Sequence, residues 1–333
     1  MPPDTPEQNR RILVVTLGGT IAMSGASGET GGVSPRLTGA DLVAAVPGLD
    51  RGITIIVEDF RRIPGASLTV DDMSELVGLL HKAAVTDKDG FVVTQGTDTL
   101  EETAYLLDLL YDGDAPLVLT GAMRNAAMPG ADGPANLLAA ARTAASTDAR
   151  GMGALVVFAD EIHAARHVRK VHSTSIAAFS SPGAGPIGHV IEGVPRLHFG
   201  LRRHRAVPLP LQPGVVEIVY TTLGGDTSVL NDLDLRADGL VVASFGAGHV
   251  PETWVEPLQR LAQRIPVVLA SRTGAGSVLA ATYAFPGSES DLLARGLISA
   301  GSLDPYKARL LLLAQLRAGA DRARVEAAFT ERR

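Results

Sequence analysis

Two threonines follow glycines near the ends of short apolar segments, where a hydroxyl could meet a ligand. After the apolar run 91–93, a glycine is followed by Thr97 and Asp98. After a second run at 12–15, two glycines are followed by Thr20. Because glycine has no Cβ, the backbone at these points can come close to a ligand. The pattern indicates one shared site that is built from two strand ends.

A threonine hydroxyl is a weak nucleophile at neutral pH and needs a base or a charge relay. Asp98, beside Thr97, could supply that relay together with a lysine, and Lys170 lies in the basic stretch 167–172. Structural roles remain open for each residue. Threonine and aspartate are common at helix starts, a threonine after two glycines also suits a turn or a phosphate loop, and a basic stretch also suits a solvated surface.

The segments that carry these residues fit an α/β fold. Thr99 and Glu102 have the spacing of a capping box, which predicts a helix that begins near Leu100. Residues 124–136 have the composition of a rigid loop that caps the next helix through Asp132 and Pro134. Strand candidates alternate with helical patterns, with strands at 12–16, 53–58, 91–94, 116–120 and 154–159 and helices at 70–84, 100–111 and 134–145. This alternation predicts βαβ units and a doubly wound parallel sheet, with ligands at the carboxyl ends of its strands.

The second half of the chain predicts a smaller α/β domain. Residues 183–200 have the composition of a hairpin, and the basic, proline-rich stretch 201–213 suits an interdomain linker. Beyond it, strands are predicted at 215–220, 239–244 and 266–270, and helices at 252–263 and 305–317. We therefore expect a disordered tail at 1–10, a larger catalytic α/β domain at 11–200, the linker, and a carboxyl-terminal α/β domain at 214–333.

Composition narrows the classes of function. The formal net charge of −6 does not indicate a nucleic-acid or anionic-membrane surface. The chain has no cysteine, which excludes disulfides, thiolate metal sites and cysteine nucleophiles. His163, His167 and His172 lie close in sequence, but no helix pattern puts them on one face, so no metal site is predicted. The glycine pairs at 246–248 and 274–276 lack the rest of a dinucleotide fingerprint.

The first eleven residues are polar and proline-rich and lack the apolar core of a secretory signal. No apolar run approaches the length of a membrane span. We expect a cytoplasmic protein that acts on a small molecule, without a nucleic-acid or membrane partner.

Several blocks, in order along the chain, resemble the bacterial-type L-asparaginases. They are the glycine-threonine block at 18–22, the Gly-Thr-Asp-Thr block at 96–104, residues 121–124 with 132–136, and smaller matches at 41–47, 271–272 and 303–309. The matches run from about residue 12 to residue 317, nearly the whole chain. The Gly-Thr-Asp-Thr block with its acidic helix start is the specific part of the resemblance.

The resemblance implies hydrolysis of L-asparagine to L-aspartate and ammonia. In the family, the threonine matching Thr20 attacks the side-chain amide and forms an acyl-enzyme. The threonine matching Thr97 works with an aspartate matching Asp98 and a lysine matching Lys170, which the Arg-x-Val-x-Lys spacing at 166–170 selects. The resemblance also implies no metal or organic cofactor, and a homotetramer built from close dimers in which each site is completed by the neighbouring subunit.

The chain departs from the family pattern around the substrate. Where the family often has a serine that holds the α-carboxylate of the substrate, Gly65 and Ala66 stand here and could offer only backbone contacts. The tyrosine that is common in the loop at 23–35 is missing. Glu289 is matched to an interfacial glutamate that binds substrate, with Tyr283 as a competing match. Further departures are Leu17, Gln95 and residues 249–251.

Two other interpretations fit the same residues. The first is another amidase, either a glutaminase-asparaginase or the ammonia-releasing subunit of a tRNA-dependent amidotransferase. The latter would be expected to carry an added amino-terminal module, whereas about ten residues precede the first strand here. The second is a non-catalytic amino-acid or nucleotide sensor on the same fold, because fold does not dictate function.

Overall fold

The computed structural model describes residues 9–19, 21, 23, 24, 34, 35 and 38–332. Thr20 lies outside the described residues, as do residues 1–8 of the expected tail and most of the loop at 23–35. Within the described ranges, no helix is both long enough and apolar enough to cross a membrane.

The chain divides into two units, Met1–Arg203 and His204–Arg333. The division falls inside the linker expected at 201–213, and the domain bounds themselves remain a prediction. The first unit carries Thr97, Asp98 and Lys170, and the second carries Glu289.

Eight strands of the first unit form one sheet. The elements of this unit are β1 (Arg10–Thr16), β2 (Met23–Ser24), β3 (Ser34–Pro35), α1 (Gly39–Ala44), β4 (Ile53–Asp59), α2 (Val70–Ala84), β5 (Gly90–Thr94), α3 (Leu100–Leu110), β6 (Leu117–Thr120), α4 (Gly133–Ala145), β7 (Ala154–Phe158), β8 (Glu161–Ala164), β9 (Arg169–Lys170), β10 (Phe179–Ser180), β11 (Gly188–Ile191) and β12 (Val194–Leu197). The order across the sheet is β12-β11-β8-β7-β6-β5-β1-β4. The five strands from β4 to β7 are parallel, and β8, β11 and β12 extend the sheet with antiparallel pairs. The expected α/β fold and the hairpin expected at 183–200 are confirmed.

The apolar pattern explains why these segments form their elements. All five residues of β5 are buried, as a strand in the middle of a parallel sheet requires. In α2, Met73, Leu76, Val77 and Leu80 recur at helical spacing and are all buried, and the helix packs against α3. Burial of each such side chain contributes roughly 1.5–3 kcal/mol, which is enough to fix the helix.

The strand order defines where a ligand would bind. β1 lies between β4 and β5, so the chain leaves β1 toward one edge of the sheet and then continues from β5 toward the other. In sheets of this kind, ligands bind outside the carboxyl ends of the strands at the point of reversal. Residues 17–19 leave β1 at that point, and residues 95–98 leave β5 there.

The second unit is a smaller α/β layer. Its elements are β13 (Val216–Tyr220), α5 (Leu233–Arg236), β14 (Gly239–Ser244), α6 (Glu252–Ala262), β15 (Val267–Ser271), α7 (Glu289–Ala294), β16 (Ile298–Ser299), α8 (Pro305–Arg317) and α9 (Arg322–Thr330). The four strands are parallel in the order β13-β14-β15-β16. Trp254 of α6 is buried in the core of this unit, and its Nε1 donates to the Gly225 carbonyl at 3.1 Å.

Burial makes His163 a pH-dependent contributor to stability. Its side chain on β8 is fully buried, and Nδ1 lies 3.0 Å from Ser181 Oγ. Burial lowers the pKa of His163 to about 4, and the charge of His189 acts in the same direction. The Glu161 carboxylate lies 3.2 Å from Nε2. Burial prevails, because that carboxylate is 40% exposed and does not form a hydrogen bond with Nε2.

We expect the free energy of unfolding to fall as the pH drops from about 6.5 to about 4, because the unfolded state then binds a proton that the folded state excludes. The contribution of His163 is up to about 3 kcal/mol. Urea unfolding followed by far-UV circular dichroism across this range measures it. The His163→Gln variant should lose this part of the pH dependence, and the exposed His172→Gln variant should keep it. An unchanged slope in His163→Gln would contradict the assignment.

Candidate active site

The carboxyl ends of β1 and β5 put the two glycine-rich segments next to each other. Thr16 pairs with Thr94 in register, and the Leu17 amide donates to the Thr94 carbonyl at 2.8 Å. One step further, a Cβ on Gly19 would lie 2.0 Å from the Gly96 nitrogen. Gly19 also has a φ of +87°, which L side chains rarely adopt. Only glycine fits at this position, because the two backbones are in direct contact.

A third segment joins them. A Cβ on Gly65 would lie 2.9 Å from the Gly96 carbonyl oxygen, and a Cβ on Gly18 would lie 2.7 Å from the Ile63 carbonyl oxygen. Three stretches of backbone therefore meet without side chains between them. Thr20 follows the glycine pair in the sequence and lies outside the described residues.

The side chain of Lys170 reaches both Thr97 and Asp98. Its Nζ donates to Thr97 Oγ1 at 3.0 Å and to Asp98 Oδ1 at 2.9 Å. Thr97 is 5% exposed, whereas the side chains of Lys170 and Asp98 are 16% and 69% exposed. An ion pair with a carboxylate this exposed contributes at most about 1 kcal/mol to stability. Stability alone does not explain an ammonium that binds a buried hydroxyl and an exposed carboxylate together.

Lys170 reaches this position from a two-stranded sheet. β9 and β10 are antiparallel with Lys170 opposite Phe179, whose ring is 4.8 Å from that of Phe158. The backbone amide of Lys170 donates to Glu101 Oε2, on the first turn of α3, at 2.7 Å. Sequence spacing selected the lysine, but no sequence pattern indicated its contact with Glu101, which joins residues 69 positions apart.

The capping box expected at Thr99 and Glu102 is wrong. α3 begins at Leu100 as predicted and Thr99 is its N-cap, but the Thr99 side chain makes no cap hydrogen bond. Its hydroxyl donates to the Gly65 carbonyl at 2.8 Å and accepts from Gln95 Nε2 at 3.3 Å. A tertiary contact replaces the local one, and it holds the segment at 65 against the end of β5.

Gly65 and Ala66, the residues predicted to face the α-carboxylate of a substrate, begin the short 3-10 turn Gly65–Ser67. Gly65 is buried and Ala66 is exposed. The Leu68 amide donates to the Gly65 carbonyl at 3.2 Å and closes the turn. Neither residue has a polar side chain, so a contact with substrate would come from the backbone and stays a prediction.

Asp132 organises the loop that follows β6. It is the N-cap of α4, as predicted, but its carboxylate makes no cap hydrogen bond. The carboxylate accepts from the amides of Met123 at 2.9 Å and Arg124 at 2.8 Å, and from Asn136 Nδ2 at 3.2 Å. Pro134 lies in the first turn of α4, as predicted.

Asp59 stabilises the same end of the sheet, and sequence reasoning missed it. At the end of β4, its Oδ1 accepts from Thr16 Oγ1 at 2.7 Å and from the Gly39 amide at 2.9 Å, while Oδ2 accepts from Arg62 at 2.7 Å. The hydrogen bond from Thr16, followed by that from Arg62, lowers the pKa of Asp59 despite partial burial. The ionised carboxylate thereby ties β4 to β1 and to the start of α1.

Glu289 is fully buried at the start of α7 in the second unit. Its Oε1 accepts from the amides of Thr282 at 2.9 Å and Tyr283 at 2.8 Å, and its Oε2 lies 3.2 Å from His249 Nε2. Burial alone would raise the pKa of Glu289, but the two amides and His249 outweigh it and lower the pKa. These contacts order the loop before α7. The predicted contact with substrate stays a prediction.

The three neighbouring histidines do not form a common site. His163 is fully buried beside Ser181, whereas His172 accepts hydrogen bonds from the amides of Thr174 and Ser175. In the part of the chain that the structure describes, no group of three or more histidine, aspartate or glutamate side chains is placed to hold a metal ion.

Comparisons with known proteins cover both units. Residues 11–201 match the family described as "Asparaginase, N-terminal", and residues 215–329 match "Glutaminase/Asparaginase C-terminal domain". A probable L-asparaginase of Deinococcus radiodurans is 38% identical over 326 residues, which cover 96% of this chain and 97% of that protein. A glutaminase-asparaginase of Pseudomonas fluorescens biotype A is 32% identical and covers 98% of this chain and 92% of its own length.

The fold comparison agrees with the sequence comparison. The crystal structure of a probable cytoplasmic L-asparaginase from Campylobacter jejuni matches with a TM-score of 0.85 at 31% sequence identity, covering 97% of this chain and 99% of that chain. Both matched families, the full-length relatives and this solved structure lead to one conclusion. The chain belongs to the asparaginase family.

Proposed function

We propose that this chain is an L-asparaginase, which hydrolyses L-asparagine to L-aspartate and ammonia. The observation that carries the proposal is the contact of the Lys170 ammonium with both Thr97 and Asp98 at the carboxyl end of β5. Membership of the asparaginase family supports the same reaction. Thr20 is the proposed nucleophile, because it follows the glycine pair whose backbone abuts Gly96.

In the first half-reaction, Thr20 Oγ1 bonds to the carbon of the side-chain amide and gives a tetrahedral intermediate. The hydroxyl proton passes to the amide nitrogen, the carbon–nitrogen bond breaks and ammonia leaves. The product is an aspartyl ester on Thr20, and two smaller barriers replace one large barrier. Backbone amides at the start of α3 supply hydrogen bonds for the negative oxygen of the intermediate.

In the second half-reaction, water attacks the ester, L-aspartate leaves and the Thr20 hydroxyl is restored. Thr97 relays the protons of both half-reactions. Because Thr97 Oγ1 already accepts from Lys170 Nζ, its own hydrogen is available to a neighbouring acceptor. The ammonium stabilises the negative oxygen that is left when this hydrogen departs, and Asp98 holds the ammonium in place.

The α-ammonium and α-carboxylate of the substrate are bound by groups other than the two threonines. The exposed carboxylate of Asp98 pairs with the α-ammonium, so its charge serves binding as well as catalysis. The backbone of Gly65 and Ala66 contacts the α-carboxylate. Glu289 contributes from a neighbouring subunit through the loop that it orders.

The proposal includes the assembly and the location of the enzyme. The enzyme works in the cytoplasm as a homotetramer, a dimer of dimers in which a neighbouring subunit completes each site. It needs no metal or organic cofactor. The resemblance of the motifs supports the assembly and the lack of a cofactor, and the similarity to a probable cytoplasmic L-asparaginase from Campylobacter jejuni supports the location.

Ammonia release from L-asparagine, D-asparagine and L-glutamine, with L-glutamate as a blank, tests the function. We expect the highest kcat/KM for L-asparagine, and light scattering on the same sample should give the mass of a tetramer. Comparable rates with L-glutamine would assign a glutaminase-asparaginase, the function named for the Pseudomonas fluorescens relative. Asparagine binding in calorimetry without ammonia release would contradict an enzyme and favour a sensor.

A further inference from the structure

We propose that Glu101 is a positioning residue for Lys170, an inference that rests on the function proposed above. Glu101 Oε2 accepts from the backbone amide of Lys170 at 2.7 Å. This contact is distinct from the two hydrogen bonds that the lysine Nζ makes with Thr97 and Asp98. Glu101 is therefore assigned to the placement of the lysine and not to the reacting atoms.

Lys170 is held at both of its ends by one short segment. Thr97, Asp98 and Glu101 all lie at the junction of β5 and α3, within five consecutive positions. The first two bind the ammonium, and the third binds the amide from which the same side chain extends. Because the segment bonds both the backbone amide and the ammonium of Lys170, it fixes the direction of the lysine side chain.

The strand that carries Lys170 is short. β9 is two residues long and belongs to a sheet of only two strands, in which it pairs with β10. The hydrogen bond that the Lys170 amide donates to Glu101 ties this strand to α3 in the main body of the unit. A bond from an amide to a carboxylate is short and charge-assisted, and it restricts movement of the strand along the helix.

Small movements matter at this point because the contact of Nζ with Thr97 Oγ1 is already 3.0 Å. A shift of β9 by about 1 Å would break that bond, and shifts of this size can cost large factors in rate. Loss of the Glu101 carboxylate should therefore slow the chemistry more than it weakens binding of asparagine.

We expect Glu101→Ala to lower kcat for L-asparagine by about tenfold or more, with KM changed by less than about threefold. Glu101→Gln should stay within about fivefold of the wild type, because its amide oxygen still accepts the hydrogen bond without the charge. Glu102→Ala is the matched control, since it removes a carboxylate from the same helical turn, and it should leave kcat within about threefold.

The double variant Glu101→Ala/Lys170→Met separates positioning from a general loss of structure. If Glu101 acts through the lysine, its removal has little further effect once the ammonium is gone, so the two losses do not multiply. Equal losses from Glu101→Ala in both backgrounds, or equal losses from Glu101→Ala and Glu102→Ala, would overturn the inference.

Acetic anhydride labelling read by mass spectrometry gives a test that does not depend on activity. Acetylation of Lys170 relative to the partly exposed Lys88 of the same molecule should rise in Glu101→Ala and not in Glu101→Gln or Glu102→Ala. An unchanged ratio in Glu101→Ala overturns the positioning role even in an enzyme that releases ammonia. A raised ratio in a chain that releases no ammonia supports the positioning role while the proposed function fails.

Discussion

Replacement of Thr20 by alanine is expected to lower kcat for L-asparagine by on the order of 10³-fold or more, because it removes the oxygen that would form the acyl-enzyme. The position of the residue in the chain carries this expectation. It follows Gly18 and Gly19, whose backbones contact the Ile63 and Gly96 backbones at the reversal point of the sheet. An alanine keeps the chain length and the glycines that this contact requires.

Hydroxylamine distinguishes loss of the nucleophile from loss of another step. Hydroxylamine should attack the acyl-enzyme of the wild type in competition with water, so that aspartyl hydroxamate forms as well as aspartate. Thr20→Ala cannot form the acyl-enzyme and should give no hydroxamate. The control is Thr86→Ala, which removes an exposed threonine hydroxyl that donates to the nearby Ala83 carbonyl at 2.9 Å. This variant should still form both aspartate and the hydroxamate. Hydroxamate formation by a folded Thr20→Ala protein, judged by far-UV circular dichroism, would reject Thr20 as the nucleophile.

The strands and long helices of this fold could be predicted because each requires a pattern of apolar residues that lies within its own segment of the sequence. A central parallel strand needs a continuous apolar run, and β5 at Gly90–Thr94 is such a run, buried along its whole length. α2 needs a periodic apolar stripe, and its predicted and observed bounds agree at residues 70–84. By contrast, α1 and α7 have six residues each, too few to establish a helical period.

The contacts around the candidate site could be predicted only in part. Thr97, Asp98 and Lys170 were selected by residue type and motif spacing, and the structure places them in contact. The capping box at Thr99 was mispredicted, and Asp132 is the predicted N-cap but bonds other groups through its side chain. In each case a local cap and a distant backbone group compete for one side chain, and the sequence pattern contains only the local partner.

Long-range partners set the rest of the site. Glu101 belongs to the acidic helix start that identified the motif, yet its contact with the Lys170 amide depends on how β9 is placed beside α3. Asp59 likewise bonds Thr16 across 43 positions. Such contacts depend on which strands become neighbours in the folded chain. That arrangement results from the packing of the whole domain and cannot be read from a local sequence pattern.

The Lys170→Met variant is expected to lose on the order of 10²–10⁴-fold in kcat, because the ammonium that contacts Thr97 Oγ1 and Asp98 Oδ1 is removed. Methionine keeps most of the apolar stem, which is largely shielded from solvent, so the fold should remain. Stability should change by no more than about 1 kcal/mol, since the carboxylate partner is well exposed.

Ammonia release and light scattering on the same preparations measure the two effects separately. Lys88→Met is the control, because the ammonium of Lys88 is exposed and donates to the Thr86 carbonyl in its own loop. That variant should keep the activity and the particle mass of the wild type. If the Lys170→Met protein keeps its particle mass and loses activity, the ammonium takes part in catalysis, because this variant still contains Thr97 and Asp98. If Lys170→Met retained near-wild-type kcat, Thr97 would relay protons without the lysine, and the contact at 3.0 Å would have no catalytic meaning.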